Sequence, residues 1–293
     1  MATIDLSVII ANYNTRIFLE KLLTSLEKSD VDQYQLEIIV VDNGSSDGSV
    51  EMVKKKYQKI KSIINDKNLG FAAANNQGID KALGRYILLL NSDTEVEKDT
   101  LKQMIAFMDE HSQYGAATCR IELTNGKLDP ACHRGFPTPW AALTYFLKLE
   151  SLFPKSKLFG QYHQGWKKLN EIHELEVISG AFFMIRREVI NKVGLLDEGF
   201  FMYGEDIDWC FRIQQAGFQI AFVPSTKIVH VKGASGKGKD KSKKVNQKDI
   251  YKLTNKSFWQ TMKLFYKKHY TDKYPRILKW LIFKIIDWKT KWS

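Results

Sequence analysis

Two apolar rhythms alternate along the first 110 positions. Apolar, β-branched and leucine-rich runs at 6–11, 37–41 and 86–90 read as buried strands, and 60–64 reads as a further strand between the last two. Between them apolar positions recur every three or four residues. Leu19, Leu22, Leu23 and Leu26 form one set, Val50, Val53 and Tyr57 a second, Ile79 and Leu83 a third, and Leu101, Met104, Ile105 and Met108 a fourth. That spacing predicts amphipathic helices. Strand–helix alternation with unbroken apolar strands predicts an α/β fold, a mostly parallel central sheet flanked by helices. Ligands of such sheets bind beyond the carboxyl ends of the strands. The polar clusters 12–14, 42–45 and 91–93 all follow strands, so they are expected to converge in space.

After position 112 the rhythm breaks. Residues 116–121 suggest a further strand. Residues 125–175 are irregular, with Pro130, Pro137, Pro139, Pro154 and many aromatics. A long loop-rich insert in an α/β domain is often a substrate-facing lid. Residues 176–185 are strand-like again, 187–193 suggest a short helix, and a helix runs to about Ala216. Strands at 219–223 and 226–231 follow.

Charge divides the chain. Residues 231–293 hold 18 Lys and Arg against 4 Asp and Glu, a net +14, whereas residues 1–230 net −3. A polyanionic partner is therefore expected for the tail alone, either nucleic acid or an anionic membrane. The body is slightly acidic and carries no nucleic-acid-binding motif, so no nucleic acid is expected. Residues 233–249 read as a flexible basic linker. The run from Gly233 to Gly238-Lys239 has P-loop spacing, but Asp240 stands where Ser or Thr is required. Residues 250–293 read as an amphipathic helical tail in which Trp259, Trp280, Trp288 and Trp292 lie among lysines. Such a segment suits a membrane interface, or packing on the body or in a homodimer. No apolar run reaches the ~18–20 residues that span a bilayer, and the N-terminus lacks the basic start of a signal peptide. Cys119, Cys132 and Cys210 are far apart and are expected to be reduced thiols.

One stretch stands out chemically. Phe200 to Arg212 places Glu205, Asp206 and Asp208 within four residues, among Phe200, Phe201, Met202, Tyr203, Trp209 and Phe211. Carboxylates avoid apolar surroundings unless paired, hydrogen-bonded or bound to metal. The knot is either a catalytic centre or the acidic first turn of an ordinary helix.

Six short motifs in order carry a resemblance across roughly residues 4–235. They are Ser7-Val-Ile-Ile-Ala-Asn-Tyr-Asn, Val41-Asp-Asn-Gly-Ser-Ser-Asp-Gly-Ser, Asn68-Leu-Gly-Phe-Ala-Ala-Ala-Asn-Asn-Gln-Gly, Leu89-Leu-Asn-Ser-Asp, Ser179-Gly-Ala and Gly204-Glu-Asp-Ile-Asp-Trp, followed by His230. With them the chain resembles the family 2 glycosyltransferases, whose Rossmann-like fold is called GT-A. The Asn-Leu-Gly-Phe and Asn-Ser-Asp versions look most like bacterial rhamnosyltransferases that build surface polysaccharide.

The resemblance implies a role for each motif. Ala11, Asn12, Tyr13, Asp42, Asn68, Gly70, Asn75, Asn91 and Ser92 would bind the nucleotide sugar. Asn91-Ser-Asp93 matches the family's Asp-x-Asp element, which holds Mg²⁺ or Mn²⁺ on the diphosphate, with Asn91 replacing the first Asp. Asp93 and His230 would then be the metal residues, and an imidazole favours Mn²⁺. Asp206 matches the catalytic base of an inverting transfer. Glu205, Gly180 and Trp209 would contact the acceptor. The resemblance thus implies an inverting transfer, with dTDP-L-rhamnose the leading donor and a UDP-hexose or UDP-N-acetylhexosamine the alternative. The acceptor would be a glycan or lipid-linked glycan at the inner face of the cell membrane, where the tail would hold a cytoplasmic body peripherally.

Overall fold

The computed structural model describes residues 4–232 and 247–291, with side chains of the second segment described from 257 onward. The P-loop-like run, Trp292 and nearly all of the 233–249 linker lie outside the described residues. The first half follows the apolar rhythm: β1 (Leu6–Asn12), α1 (Arg16–Glu27), β2 (Leu36–Asp42), α2 (Ser49–Lys56), β3 (Lys61–Ile64), α3 (Phe71–Lys81) and β4 (Tyr86–Leu90). Next come β5 (Thr94–Val96), α4 (Thr100–Glu110) and β6 (Tyr114–Leu123). The insert is less irregular than its composition suggests. It holds a 3₁₀ turn (Pro130–Cys132), α5 (Pro139–Phe146), α6 (Leu149–Leu152) and β7 (His173–Glu174). Then follow β8 (Phe182–Arg186), α7 (Arg187–Val193), α8 (Glu205–Gln215), β9 (Gln219–His230), α9 (Gln247–His269) and α10 (Arg276–Lys291).

All these strands belong to one sheet in the order β3-β2-β1-β4-β8-β6-β9-β5, with β7 also paired to β9. Strands β1 to β4 are mutually parallel, joined by crossovers through α1, α2 and α3. Beyond β4 the sheet is mixed. β8 runs antiparallel to β4 and β6, β9 runs parallel to β6, and β5 and β7 run antiparallel to β9. Helix α3 lies close on β1 because position 78 is glycine. A Cβ there would fall 2.4 Å from Ile9 Cγ2.

Three boundaries differ from the sequence expectation. Leu83 lies beyond α3 and is exposed, although its spacing matched the helix. Residues 176–181 are not part of β8. Val177 pairs with Arg134 in an isolated bridge, and the Phe182 N–H turns back to the Ser179 carbonyl. The two expected strands after 219 are one strand, and its pairing with β6 jumps from Val223 to Lys227. Pro224 lies in that bulge, where its missing N–H leaves no ladder bond unmade.

Helix α9 docks on the body. Phe265, Tyr266 and Tyr270 are buried, and the Tyr266 hydroxyl donates to the Pro137 carbonyl at 2.7 Å. Each such side chain contributes about 1.5–3 kcal/mol by burial. Helix α10 folds back on α9 through Ile286 and an ion pair between Lys263 and Asp287. Its outer face leaves Ile277, Trp280, Leu281, Ile285 and Trp288 exposed at helical spacing. No helix among the described residues is long and apolar enough to cross a membrane.

Candidate active site

Strands β1 and β2 pair in register so that Asn12 lies beside Asp42. Asn12 Nδ2 donates to Asp42 Oδ2 at 2.8 Å and to Ser45 Oγ at 3.1 Å. The Ser45 N–H donates to Asp42 Oδ1 at 2.8 Å. Thr15 Oγ1 donates to Asn12 Oδ1 at 2.6 Å and lies 2.7 Å from Ser92 Oγ. The ends of β1, β2 and β4 are thus one polar network, and Asp42 at its centre is only 4% exposed. Ala11 is half-buried beside it, and Tyr13 is exposed at its edge.

Asn43 holds the second loop. Its Nδ2 donates to Asn68 Oδ1 at 3.1 Å and to the Gly70 carbonyl at 3.0 Å, and its Oδ1 accepts from the Leu69 N–H and Asn65 Nδ2. Gly70 has φ +94°, and a Cβ there would sit 2.6 Å from the Phe201 carbonyl oxygen. Its close backbone approach is therefore to the segment preceding α8, with the Phe71 N–H donating to that same oxygen at 3.0 Å. Asn75 is buried within α3 and donates to the Phe71 carbonyl, apart from the network around Asp42. Gly180 faces Phe71, whose ring would lie 2.9 Å from a Cβ there, and next to it the Ala181 carbonyl accepts from the Asn91 N–H.

The short strand β5 makes the metal corner. Its pairing sets Thr94 opposite His230, and the Val231 N–H donates to the Asp93 carbonyl at 2.9 Å. His230 Nε2 then lies 3.2 Å from Asp93 Oδ1, and Nδ1 lies 2.9 Å from Asp129 Oδ2. Burial opposes a charge on His230, but the Asp129 hydrogen bond and the nearby Asp93 carboxylate outweigh it, so its pKa rises to about 9. Although Nε2 is within ion-pair reach of Asp93 Oδ1, no aligned donor meets that buried oxygen among the described residues. A divalent cation fits between that buried carboxylate oxygen and the imidazole nitrogen when it displaces the Nε2 proton, because a ligating histidine is neutral. Among the described residues no three His, Cys, Asp or Glu side chains gather as a complete cation site. The pair therefore suits a hard ion that draws its remaining ligands from diphosphate and water.

The acidic knot divides by helical phase. Positions 205 and 209 are one turn apart and face inward, whereas 206 is rotated away from them. Trp209 is fully buried on Phe183, with Nε1 donating to the Gly194 carbonyl at 2.9 Å. The expected acceptor contact at Trp209 is thereby corrected: the ring is core. Glu205 is also enclosed, and its Oε2 is buried without a hydrogen-bond partner among the described residues. It is not presented to an acceptor in this structure. Burial, with the Asp206 charge beside it, pushes the Glu205 carboxyl up to about 8. Asp206 alone keeps an open edge, at 13% side-chain exposure. Arg134 Nη2 donates to its Oδ2 at 2.7 Å, and the Ile207 N–H donates to its Oδ1 at 2.8 Å.

Asp208 is fully buried and has a different task. Arg212 Nε donates to Oδ2 at 2.8 Å, and Lys268 Nζ and His269 Nε2 of α9 each lie 2.7 Å from Oδ1. Burial alone would raise its pKa, but these three partners hold it well below the usual carboxylate range. Asp208 thus clamps α9 to the helix that carries Asp206. Arg134, Asp129 and Asn43 were not assigned roles from sequence. Arg134 and Asp129 lie in or beside the irregular insert, where the one local signal is the turn-forming Asp129-Pro130 pair.

Comparison with known proteins accords with this geometry. Residues 7–194 match the family model described as glycosyl transferase family 2. The chain belongs to that family. As a glycosyltransferase it is 26% identical over 242 residues to the N-acetylglucosaminyl-diphospho-decaprenol L-rhamnosyltransferase of Mycobacterium tuberculosis, covering 78% of this chain and 77% of that one. It is 25% identical over 232 residues to the rhamnosyltransferase WbbL of Escherichia coli K12, covering 76% of this chain and 82% of the other. The crystal structure of residues 1–349 of Staphylococcus aureus TarS matches it with a TM-score of 0.57 at 19% identity, over 89% of this chain and 64% of that one. The fold of this glycosyltransferase is accordingly GT-A.

Proposed function

We propose that this glycosyltransferase moves L-rhamnose, with inversion, from dTDP-L-rhamnose to a hydroxyl of a lipid-linked glycan during bacterial surface-polysaccharide synthesis. The observation that carries the site assignment is the continuity of the strand-end network from Asp42 through Thr15 and Ser92 to Asp93 and His230. The nucleotide is assigned to Asp42, Asn12, Tyr13 and Asn68, and the diphosphate to Asn91, Ser92 and Asp93. When bound to Asp93 and His230, Mg²⁺ or Mn²⁺ supplies positive charge to the departing diphosphate. Asp206 accepts the proton of the acceptor hydroxyl as its oxygen attacks the anomeric carbon and the bond to the diphosphate breaks. Arg134 holds that carboxylate in place and balances its charge.

The names of the mycobacterial and E. coli relatives support rhamnose. A second donor class is supported by a 108-residue stretch that is 34% identical to the S. aureus poly(ribitol-phosphate) β-N-acetylglucosaminyltransferase TarS, although it spans only 19% of that protein. Nucleotide release from dTDP-L-rhamnose, UDP-glucose and UDP-N-acetylglucosamine decides between them. Release of dTDP is expected, and turnover with UDP-sugars alone would overturn the rhamnosyl assignment.

The outer face of α10 is assigned to the inner membrane surface. Its exposed Trp280 and Trp288 flank Leu281 and Ile285, with Lys284 on the same side. Amphipathic helices of this kind lie in the headgroup region. Each lysine near an anionic surface adds roughly 1 kcal/mol.

A further inference from the structure

The metal corner contains a third side chain that none of the family's motifs includes. Asp129 is 1% exposed and lies just after β6, where its N–H donates to the Ile121 carbonyl. Its carboxylate makes three bonds. Oδ1 accepts from the Ala131 N–H at 3.0 Å and from Lys232 Nζ at 2.7 Å, and Oδ2 meets His230 Nδ1 at 2.9 Å. An aspartate serving only to cap the Pro130–Cys132 turn needs the first bond alone. The other two reach across more than a hundred residues to both sides of the end of β9.

The imidazole geometry gives those bonds a purpose. With Nδ1 held by Asp129, the ring is fixed and Nε2 is the atom turned toward the orphaned Asp93 Oδ1. Ligating histidines recur in this arrangement. A carboxylate on the far nitrogen orients the ring and raises its strength as a ligand. Lys232 balances the added negative charge, so the corner's two carboxylates, Asp93 and Asp129, are not left uncompensated.

We propose that Asp129 is the positioning residue of a divalent-cation site formed by Asp93 and His230, acting through the imidazole rather than on the ion. This rests on the metal assignment made above. It also ties the site to the insert, because the turn that carries Asp129 leads within five residues to Arg134, the partner of Asp206. One short segment then supports both the metal corner and the acid at the start of α8.

The test is Mn²⁺ binding to the full chain in the presence of dTDP, followed by electron paramagnetic resonance. The wild type is expected to bind Mn²⁺ with a nitrogen coupling from the imidazole. Asp129→Ala is expected to weaken binding about 10–100-fold and to lose that coupling, while metal-free dTDP binding is retained. Asp129→Asn, which keeps an acceptor for Nδ1 without the charge, is expected to fall between, and it serves as the test if the alanine variant does not fold. Wild-type affinity and nitrogen coupling in the folded variants would overturn the role of Asp129 while leaving the metal site standing. No Mn²⁺ binding by the wild type would overturn the metal assignment and this proposal with it.

Discussion

Glu205 gives the sharpest physical prediction. Its carboxyl is enclosed, its Oε2 lacks a hydrogen-bond partner among the described residues, and Asp206 is its sequence neighbour. Burial and that neighbour raise its pKa to about 8 from an ordinary value of 4.5. The sign follows from linkage. The unfolded chain releases the proton near the ordinary value and the folded chain near 8, so the native state binds more protons between them. The stability associated with the neutral carboxyl is fully present below pH 4.5 and is lost as pH rises through 8. Each unit is worth about 1.4 kcal/mol, which puts the loss on the order of 5 kcal/mol. Glu205→Gln removes the titration while keeping the shape. At pH 5 both side chains are neutral in the native state, so the difference there reads the cost of the amide itself. Between pH 5 and 8.5 the variant should gain on the wild type, a relative rise in unfolding midpoint of roughly 5–10 °C. Calorimetry across that range measures it. Parallel stability–pH curves for the two proteins would refute a raised Glu205 pKa.

Two further outcomes follow from the tail. Asp208→Ala leaves Arg212, Lys268 and His269 without their common partner, and should cost about 3–5 kcal/mol in urea melts at pH 7. Because the folded-state pKa of Asp208 is depressed, the deficit should shrink as pH falls below ~4, where the unfolded carboxyl takes up its proton. Replacing Trp280 and Trp288 by Ser should release the protein from anionic vesicles in co-sedimentation while leaving turnover on a soluble acceptor unchanged. Undiminished sedimentation would refute the α10 docking assignment.

Much of this was legible in the chain, for identifiable reasons. The strands β1, β2 and β4 are largely apolar runs, and in a parallel sheet that alone brings their polar ends together. The network of Asn12, Asp42 and Ser92 is that expectation in atoms. β5 was not legible. Three residues show no periodicity, yet its pairing with β9 is what sets Asp93 against His230. The acidic knot was legible as a cluster but not in its division. The sequence shows three acids within four residues, whereas helical phase sends Glu205 and Trp209 inward, leaves Asp206 with an open edge, and offers Asp208 to α9. Charge composition likewise described the tail as one basic segment. The structure separates an inner helix, clamped by Lys268 and His269, from an outer one whose apolar face is open. Arg134 was hidden because its partner lies 72 residues away and its own surroundings have no periodic pattern.

The central claim is that Asp206 takes the acceptor proton at a nucleotide-sugar site built by the strand ends. Asp206→Asn tests it most directly, with transfer and donor binding measured on the same preparation. Removing a general base should lower kcat about 100-fold or more, while the dissociation constant for dTDP-L-rhamnose stays within about threefold of wild type. Full turnover by the asparagine variant would contradict the account.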